Sequence, residues 1–504
     1  MSTVSKDTSK GLSEDAMTAF LAAYPRYERT TLLDDVRQTE YPYLDGEGHA
    51  YLDYTGAGLA AVSQYRSHAE RLAEGCFGNP HSANPASIAA TDLVEGCRSA
   101  VLEYFNADPK EYAAIFTSNA TAACRLVGES YPFESDSRFV LTFDNHNSVN
   151  GIREYARARR ARTEYVPGSG EELRVDESVL ESTLAARSTG LFRGRGGGGS
   201  GGAGGNRVGL FGYPAQSNFS GVRHPLSWID LAHRHGFDVL LDAAAFVPTN
   251  PLDLSAVHPD FVTVSWYKLF GYPTGIGCLI ARHEALARLR RPWFSGGTIH
   301  AVSVQGDWHV MAGGAAAFED GTVNFHSIPD IEYGLRWLRG LGVDVIGERV
   351  RCLTGWMLGR LAALTHSDGS PMTRIYGPLD TADRGGTVAF NFLDRQGRVV
   401  DERLVEREAA ASMVSLRTGC FCNPGAGELA FGIGGTLLGG RVSKAVHSID
   451  EYLQALRLPS GGAVRASLGL VSNTADVEQF ITFAESTYRD RLVRADGLPP
   501  RERC

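Results

Sequence analysis

Lysine is scarce in this chain. Of its 49 lysines and arginines, five are lysine: Lys6, Lys10, Lys110, Lys268 and Lys444. Four of them lie in polar or turn-like surroundings, whereas Lys268 lies within the apolar and aromatic segment DFVTVSWYKLFGYPTGIGCLI. An arginine cannot lose its proton in a protein, but a desolvated lysine can become a nucleophile. A lysine at this place therefore predicts chemistry that needs an amine.

Other absences each exclude a class of protein. The formal charge of -9 leaves no basic field for nucleic acid or an anionic membrane. No apolar run approaches the roughly 18 residues of a membrane helix, and the N-terminal sequence MSTVSKDTSKGLSED has no apolar signal core. Eight cysteines without framework spacing suit free thiols in a reducing compartment. We therefore expect a cytoplasmic protein that binds neither nucleic acid nor a membrane.

Short apolar runs alternate with helical patterns from about residue 110 to residue 282. The runs AAIFTS, FVLTFDNH, VGLFGYPA, DVLLDAAA, FVTVSWY and GIGCLIA have the length of strands that are buried on both faces. Between them, TAACRLVGESY, VNGIREYARARR and PLSWIDLAHRHG have helical periodicity. This alternation predicts an α/β fold, with a mainly parallel sheet and helices on both of its faces.

The pattern changes past residue 326 to helices with fewer strands, which predicts a second, smaller α+β domain. We divide the chain into an N-terminal arm that packs on the small domain, a large domain, the small C-terminal domain and a tail: residues 1–40, 41–325, 326–496 and 497–504. Residues 194–206, GRGGGGSGGAGGN, have low complexity. They lack the spacing and the lysine of a phosphate-binding loop, so we interpret them as a flexible surface insertion.

Three features at successive strand ends favour a single cofactor site. The segment IFTSNATAA (115–123) is a strand, a small-residue turn and a helix start, where backbone amides and the hydroxyls of Ser118 and Thr121 suit a phosphate, although many capped helices look the same. Asp242 ends the strand VLLDAAA and would either pair with a pyridine nitrogen or cap the next turn. Lys268 follows at the end of the next strand, as a nucleophile or as a lysine that snorkels to solvent.

In these segments the chain resembles the class-V (fold-type I) pyridoxal-phosphate enzymes, most closely the N-terminal cysteine-desulfurase-like domain of molybdenum cofactor sulfurases. The matching stretches run in order from about residue 50 to residue 485: YLDYTGAG (51–58), FGNPHSANPAS (77–87), IFTSNATAA (115–123), YPAQSNFSGVRHPLSWI (213–229), LLDAAAFVPTNPLDLS (240–255), VSWYKLFGYPTGIG (264–277), FEDGT (318–322), LRTGCFCNPGA (416–426) and VRASLG (464–469). The resemblance implies pyridoxal 5'-phosphate as cofactor, a seven-stranded-type sheet in the large, cofactor-binding domain, and a homodimer.

The resemblance also implies a role for each matching residue. Lys268 would be the Schiff-base lysine and Asp242 the partner of the pyridinium, while His146 would stack on the ring and help to move protons. The remaining cofactor contacts would be Ala120, Thr121, Ser265 and Tyr267 at the phosphate, Asn218 beside the ring oxygen, and Thr322 reaching the phosphate of the partner subunit. The substrate carboxylate would bind Arg465, with Arg417 assisting it or bracing the loop.

Two cysteines, Cys420 and Cys422, lie in the glycine-rich segment 417–440, which we predict to be a mobile catalytic loop. A C-x-C pair is otherwise two inert thiols or half of a metal site, but no second cysteine or histidine pair has zinc-like spacing. The resemblance makes Cys422 the sulfur acceptor and Cys420 a neighbour or resolving thiol. L-cysteine would then leave alanine and a persulfide on Cys422, for an acceptor protein or small molecule in trans.

Two departures from the family pattern bear on this function. Ala245 stands where desulfurases generally carry a glutamine, and an alanine cannot donate a hydrogen bond to the cofactor. We also expect no molybdenum-cofactor-binding domain after Cys504, which is why the acceptor is expected in trans. The alternatives are a C–S lyase or an aminotransferase for a specialised amino acid, with Cys422 not catalytic, and a non-catalytic scaffold subunit. The intact Lys268, Asp242 and Arg465 argue against a scaffold.

Overall fold

The computed structural model of the chain describes residues 12–80, 82–186, 208–433, 450, 451, 453, 461–493, 498, 500 and 501. The glycine-rich stretch at 194–206 and the part of the segment 417–440 that follows residue 433 lie outside these residues. Within the described ranges, no helix has the length and apolar character that a membrane crossing requires.

The described strands form one large sheet, one four-stranded sheet and three two-stranded ribbons. In chain order they are β1 (Ala50–Tyr51), β2 (Tyr112–Thr117), β3 (Arg138–Thr142), β4 (Arg162–Val166), β5 (Gly168–Ser169), β6 (Arg174–Val175), β7 (Gly209–Pro214), β8 (Phe237–Asp242), β9 (Phe261–Ser265), β10 (Gly277–Arg282), β11 (Ile299–Ser303), β12 (Trp308–Met311), β13 (Thr373–Tyr376), β14 (Thr387–Phe392), β15 (Val414–Ser415), β16 (Arg417–Gly419) and β17 (Ala463–Ser467).

Helices surround the sheets. In chain order the described α-helices are α1 (Glu14–Ala23), α2 (Leu32–Glu40), α3 (Pro42–Glu47), α4 (Val62–Glu74), α5 (Pro85–Tyr104), α6 (Ala120–Ser130), α7 (Asn147–Asn150), α8 (Ile152–Ala158), α9 (Glu177–Ala185), α10 (Trp228–Arg234), α11 (Trp266–Phe270), α12 (His283–Arg288), α13 (Pro329–Leu341), α14 (Val343–Ala362), α15 (Glu402–Ala411), α16 (Pro424–Ala430) and α17 (Thr474–Tyr488). Short 3-10 helices lie at Pro25–Thr30 and Gly314–Phe318.

The large sheet has seven strands in the order β2-β10-β9-β8-β7-β3-β4. Strand β10 runs antiparallel to both of its neighbours, and the other neighbouring pairs are parallel. The predicted α/β fold with a mainly parallel sheet is confirmed. The six strands predicted from apolar runs are all present, and the seventh, β4, was missed because it is a half-exposed edge strand with the sequence RTEYV.

Successive residues of the central strands enter two separate cores, one on each face of the sheet. Val239 and Leu241 of β8 belong to the core on one face, and Leu240 between them belongs to the core on the other. This follows from the period of two along a strand. Because each fully buried Val or Leu contributes roughly 1.5–3 kcal/mol, burial on both faces holds the carboxyl ends of these strands firmly in place.

The four-stranded sheet, in the order β13-β14-β17-β16, is antiparallel throughout. Strands β16 and β17 pair Arg417 with Arg465 in register, so two guanidinium groups start from adjacent backbone positions. The N-terminal helices pack against this part of the chain through buried ion pairs. Arg37 of α2 donates to Asp476 of α17 at 2.7 and 3.0 Å.

Candidate active site

A cleft lies at the carboxyl ends of the parallel strands. Parallel sheets bind their ligands at this edge. Eight of the nine residues predicted to contact a cofactor line it: Ala120, Thr121, His146, Asn218, Asp242, Ser265, Tyr267 and Lys268. Thr322, the ninth, does not line it and instead accepts a hydrogen bond from Asn79 Nδ2 at 3.2 Å.

The turn between β2 and α6 forms one end of the cleft. Asn119 caps α6 by accepting a hydrogen bond from the Ala122 amide at 2.8 Å, and the amides of Ala120 and Thr121 donate to no described residue. The start of β10 lies so close to this turn that a Cβ on Gly277 would come within 2.3 Å of the Asn119 carbonyl carbon. Unpaired amides at the positive end of a helix suit a phosphate group.

Asp242 is the last residue of β8 and points its carboxylate into the cleft. Its Oδ1 accepts hydrogen bonds from the Ala244 amide at 3.0 Å and from Thr263 Oγ1 at 3.2 Å. Its Oδ2 accepts none from the described residues. The carboxylate therefore caps the turn through one oxygen and can receive the N–H of a pyridinium through the other, so the two interpretations offered for this residue are compatible.

Lys268 lies on the short helix α11, three residues beyond the end of β9. The expectation that it lies at the strand end was wrong by one helical turn, because the backbone becomes helical immediately after Ser265. Burial lowers the pKa of the Lys268 amine, and the charge of Asp242 opposes that shift. The amine therefore loses its proton more readily than a lysine in water, as a nucleophile or base requires.

His146 is the N-cap of α7. Its Nδ1 accepts a hydrogen bond from the Ser148 amide at 3.1 Å, which leaves the proton of the neutral imidazole on Nε2. Burial lowers the pKa of His146, with the charge of Asp242 acting in the opposite direction. The ring is therefore neutral near pH 7 and can give or take a proton.

Arg465 and Arg417 share one carboxylate that the sequence analysis did not single out. Asp53 accepts from Arg465 Nη2 at 3.1 Å through Oδ1 and from Arg417 Nη2 at 2.6 Å through Oδ2. The Arg465 side chain is 4% exposed, and its Nε has no hydrogen-bond partner. Two cations and one anion leave a net positive charge, which suits one substrate carboxylate. The partnership spans 412 positions in the chain, so no local pattern indicates it.

The two cysteines of the C-x-C pair differ in state. Cys422 is an exposed free thiol, whereas Cys420 takes part in a disulfide. The expectation of free thiols throughout was therefore wrong for Cys420, although every other described cysteine is free. Cys422 and Phe421 before it both have left-handed backbone angles, with φ of 53° and 55°. A buried ring at Phe421 and an exposed thiol at Cys422 follow from this sharp turn.

These residues fit pyridoxal phosphate. An amine with a lowered pKa suits the aldehyde, a carboxylate oxygen suits the pyridine nitrogen, and a helix start suits the phosphate. Ala245 lines the cleft, and Gln216 brings an amide group to it from the neighbouring loop. Nothing in the sequence pattern had indicated Gln216. Lys268, Asp242, His146 and the start of α6 would hold the cofactor.

Comparisons with known proteins identify the family of the chain. The family model of aminotransferase class V matches residues 51–192 and 205–480. A molybdenum cofactor sulfurase of Solanum lycopersicum is 36% identical over 483 residues, which cover 93% of this chain and 59% of that protein. The human molybdenum cofactor sulfurase is 34% identical over 476 residues, covering 90% of this chain and 51% of that protein. The chain thus spans between half and three fifths of these relatives.

Solved structures share the fold. The apo structure of a cysteine desulfurase from Thermococcus onnurineus superposes with a TM-score of 0.71 at 22% identity, covering 90% of this chain and 97% of that one. A cysteine desulfurase of Escherichia coli gives a TM-score of 0.67 at 19% identity, covering 90% and 98%. With a family match over most of its length and a cleft suited to the cofactor, the chain belongs to the class-V aminotransferase family of pyridoxal-phosphate enzymes.

Proposed function

We propose that this protein is a cysteine desulfurase that moves the sulfur of L-cysteine onto Cys422 and then to an acceptor in trans. The observation that carries the proposal is the place of the free Cys422 thiol. The Cys422 carbonyl accepts a hydrogen bond from the Asn147 amide at 2.7 Å, next to His146 of the cleft. A free thiol next to a cofactor cleft is the pairing that sulfur removal needs.

The residues of the cleft divide the work on the substrate. Bound pyridoxal phosphate would supply an electron sink for the pair released when the Cα–H bond of L-cysteine breaks. Arg465 binds the substrate carboxylate through N–H groups that neither Asp53 nor the Asn218 carbonyl uses. Lys268, with its lowered pKa, accepts the Cα proton, and His146 is placed to exchange a proton through Nε2.

The sulfur step balances without an external oxidant. The Cys422 thiolate attacks the substrate sulfur, an S–S bond forms and the substrate C–S bond breaks. The electron pair of that C–S bond stays with the substrate Cβ, which takes up a proton and becomes the methyl group of alanine. Alanine then leaves the site. Cys422 is left as a persulfide, whose outer sulfur passes to a nucleophile on an acceptor protein or small molecule.

The acceptor in trans is suggested by the exposure of Cys422, whose free thiol a separate molecule can reach. The relatives are molybdenum cofactor sulfurases, and the match covers 59% of one and 51% of the other.

The deciding experiment compares Cys422→Ser with Cys420→Ser. A hydroxyl cannot accept sulfur, so Cys422→Ser should bind cofactor and L-cysteine but lose about 99% of alanine production, the scale of a lost nucleophile. Cys420→Ser should keep a substantial part of the activity. Alanine release and persulfide mapping by thiol-trapping mass spectrometry are the measurements.

Two outcomes would reject this function. Full alanine production by Cys422→Ser would exclude sulfur transfer to that thiol, and a persulfide found on Cys420 alone would move the acceptor. Release of sulfide or a keto acid that does not depend on Cys422 would instead select a C–S lyase or an aminotransferase.

We further propose that the active unit is a homodimer. Supporting this, the hairpin of β11 and β12 exposes Val304, Trp308 and Val310 by half or more of their surface, and clustered apolar side chains of this kind mark interfaces. Thr322 lies outside the cleft of its own chain. Trp308→Asp should give monomers in light scattering, whereas Leu379→Asp, on an exposed leucine elsewhere, should not. A monomeric unaltered protein with full activity would contradict the proposal.

A further inference from the structure

Asn423, the residue after Cys422, is fully buried and uses its side-chain amide in three hydrogen bonds. Its Nδ2 donates to the Asp144 carbonyl and to Asn218 Oδ1, both at 2.8 Å. Its Oδ1 accepts from the Ala426 amide at 3.2 Å and so caps α16. This buried side chain thus joins residues 420–423, the cysteine segment, to the loop after β3 and to Asn218 of the cofactor cleft.

Asn218 also contacts the cysteine segment. Its Nδ2 donates to the Phe421 carbonyl at 2.8 Å, so the two asparagines bracket Cys422 from both sides. The backbone carbonyl of Asn218 accepts from Arg465 Nη1 at 3.0 Å, and the Arg465 guanidinium lies 4.7 Å from the centre of the Phe421 ring. The substrate arginine, a cleft residue and the cysteine segment are therefore in direct contact.

The backbone of this segment needs such support. Non-glycine residues rarely adopt the left-handed conformation, and Phe421 and Cys422 adopt it in succession. Strained backbone of this kind persists only where the surroundings over-determine it. Here the amide of Asn147 holds the Cys422 carbonyl, while Asn218 holds the residues on either side, Phe421 through its carbonyl and Asn423 through its side chain.

We propose that Asn423 is a positioning residue that, with Asn218, latches Cys422 onto the cofactor cleft. The inference rests on the proposed function and adds to it the device that places the thiol. Loss of these hydrogen bonds leaves the cleft intact but lets the left-handed turn at Phe421 and Cys422 relax, so that the thiol moves away from the cleft. The step that suffers is sulfur capture, and substrate binding at Arg465 is retained.

The substitution Asn423→Asp isolates the latch. Aspartate is as good an N-cap as asparagine, so the bond from Ala426 is kept. The two donors are lost, and a carboxylate instead faces the Asp144 carbonyl and Asn218 Oδ1. Asn84→Asp is the matched control, because Asn84 caps α5 in the same manner on an exposed surface.

Two measurements on the holoenzyme test the latch. At saturating L-cysteine, Asn423→Asp should slow persulfide formation on Cys422 by about tenfold or more, since small misplacements of a reacting group are costly. The KM for L-cysteine should stay within about twofold, because Arg465 is unchanged. Without substrate, the rate of Cys422 alkylation by iodoacetamide should rise. Asn84→Asp should change none of these quantities.

The outcomes separate the latch from the function. Unaltered persulfide formation in Asn423→Asp, with or without faster alkylation, overturns the positioning role. An unaltered enzyme that forms no persulfide rejects the function, while the alkylation rates still decide whether Asn423 holds the thiol. If Asn423→Asp does not fold, Asn423→Ser replaces it, because serine keeps the cap but is too short to reach Asn218.

Discussion

The cofactor cleft and the cysteine segment are held in place by different means. Asp242 follows directly from a strand buried on both faces, and Lys268 lies within one helical turn of another, so hydrophobic burial fixes their backbone. Cys422 lies on a turn with left-handed angles, which a backbone hydrogen bond from Asn147 and side-chain hydrogen bonds of Asn218 and Asn423 secure. The cleft thus stands on the two cores of the large sheet, whereas the cysteine segment is held by these hydrogen bonds and by Phe421, which packs in a smaller separate cluster.

This difference suits the two tasks. A cofactor must keep one orientation through the whole reaction, and a site built on strand ends provides that. A sulfur carrier must first meet the substrate and later an acceptor, so its attachment has to be reversible. Hydrogen bonds, each of modest net strength, allow a release that a hydrophobic core does not.

The largest expected effect comes from Lys268→Arg, which keeps a positive charge but not a removable proton. We expect turnover to fall by about 10³-fold or more, the scale of a lost general base and nucleophile. Borohydride should fix the cofactor to the unaltered chain at Lys268 and fail to do so in the variant. Recovery of the reduced adduct on another lysine would break the assignment of the cleft. Alkylation of Cys422 should stay as in the unaltered apoprotein.

Asp242→Ala should weaken cofactor binding by about 100-fold, because it leaves a buried pyridinium without its counter-charge. Asp242→Glu keeps the charge and should lose less. Titration of the apoprotein with pyridoxal phosphate measures both. Equal and mild losses would mean that Asp242 only caps its turn through Ala244, and the cleft would lose its electrostatic anchor.

Asp53→Asn tests the junction of the two regions, since Asp53 holds the arginine that touches both. Leaving Arg465 buried without its counter-charge should lower the free energy of unfolding by about 3 kcal/mol. Urea unfolding of the apoprotein measures this. Glu154→Gln, which removes an exposed ion pair with Arg157, should cost far less. Similar losses in the two variants would show that Asp53 supports no buried charge.

The smallest effect is a shift in pH. Because burial lowers the pKa of Lys268, its neutral fraction grows at a lower pH than that of a lysine in water. Trace acetylation of the apoprotein at a series of pH values should therefore reach half of its maximum at a lower pH for Lys268 than for a free lysine derivative in the same solution. A midpoint for Lys268 at or above that of the free derivative would contradict the desolvation of the amine.

The sequence predicted the cleft far better than the cysteine segment. Apolar runs locate strands because their burial on both faces leaves a strong local pattern, and a ligand edge then follows from the topology. Asp242 and Lys268 could be found in this way. The helical turn that carries Lys268 was not predicted, because WYKLF reads equally well as the continuation of β9.

Contacts between distant parts of the chain account for what was missed. Asp53 meets Arg465 across 412 residues and Asn423 meets Asn218 across 205, so neither pairing leaves a periodic signal. Buried asparagines also look like ordinary turn residues in a sequence. The stretches YLDYTGAG and RTGCFCNPGA contain Asp53 and Asn423, but the roles of these two residues depend on the tertiary structure.

Strand β10 returns antiparallel beside β9, so residues 266–276 are tethered to a buried strand at each end. The Gly58 amide adds a third tether by donating to the Tyr267 carbonyl at 2.9 Å. The backbone at Lys268 is therefore held in place on both sides of the residue. Any movement of the Lys268 Nζ atom between the cofactor and the substrate must therefore come from rotation about the bonds of its four side-chain methylene groups.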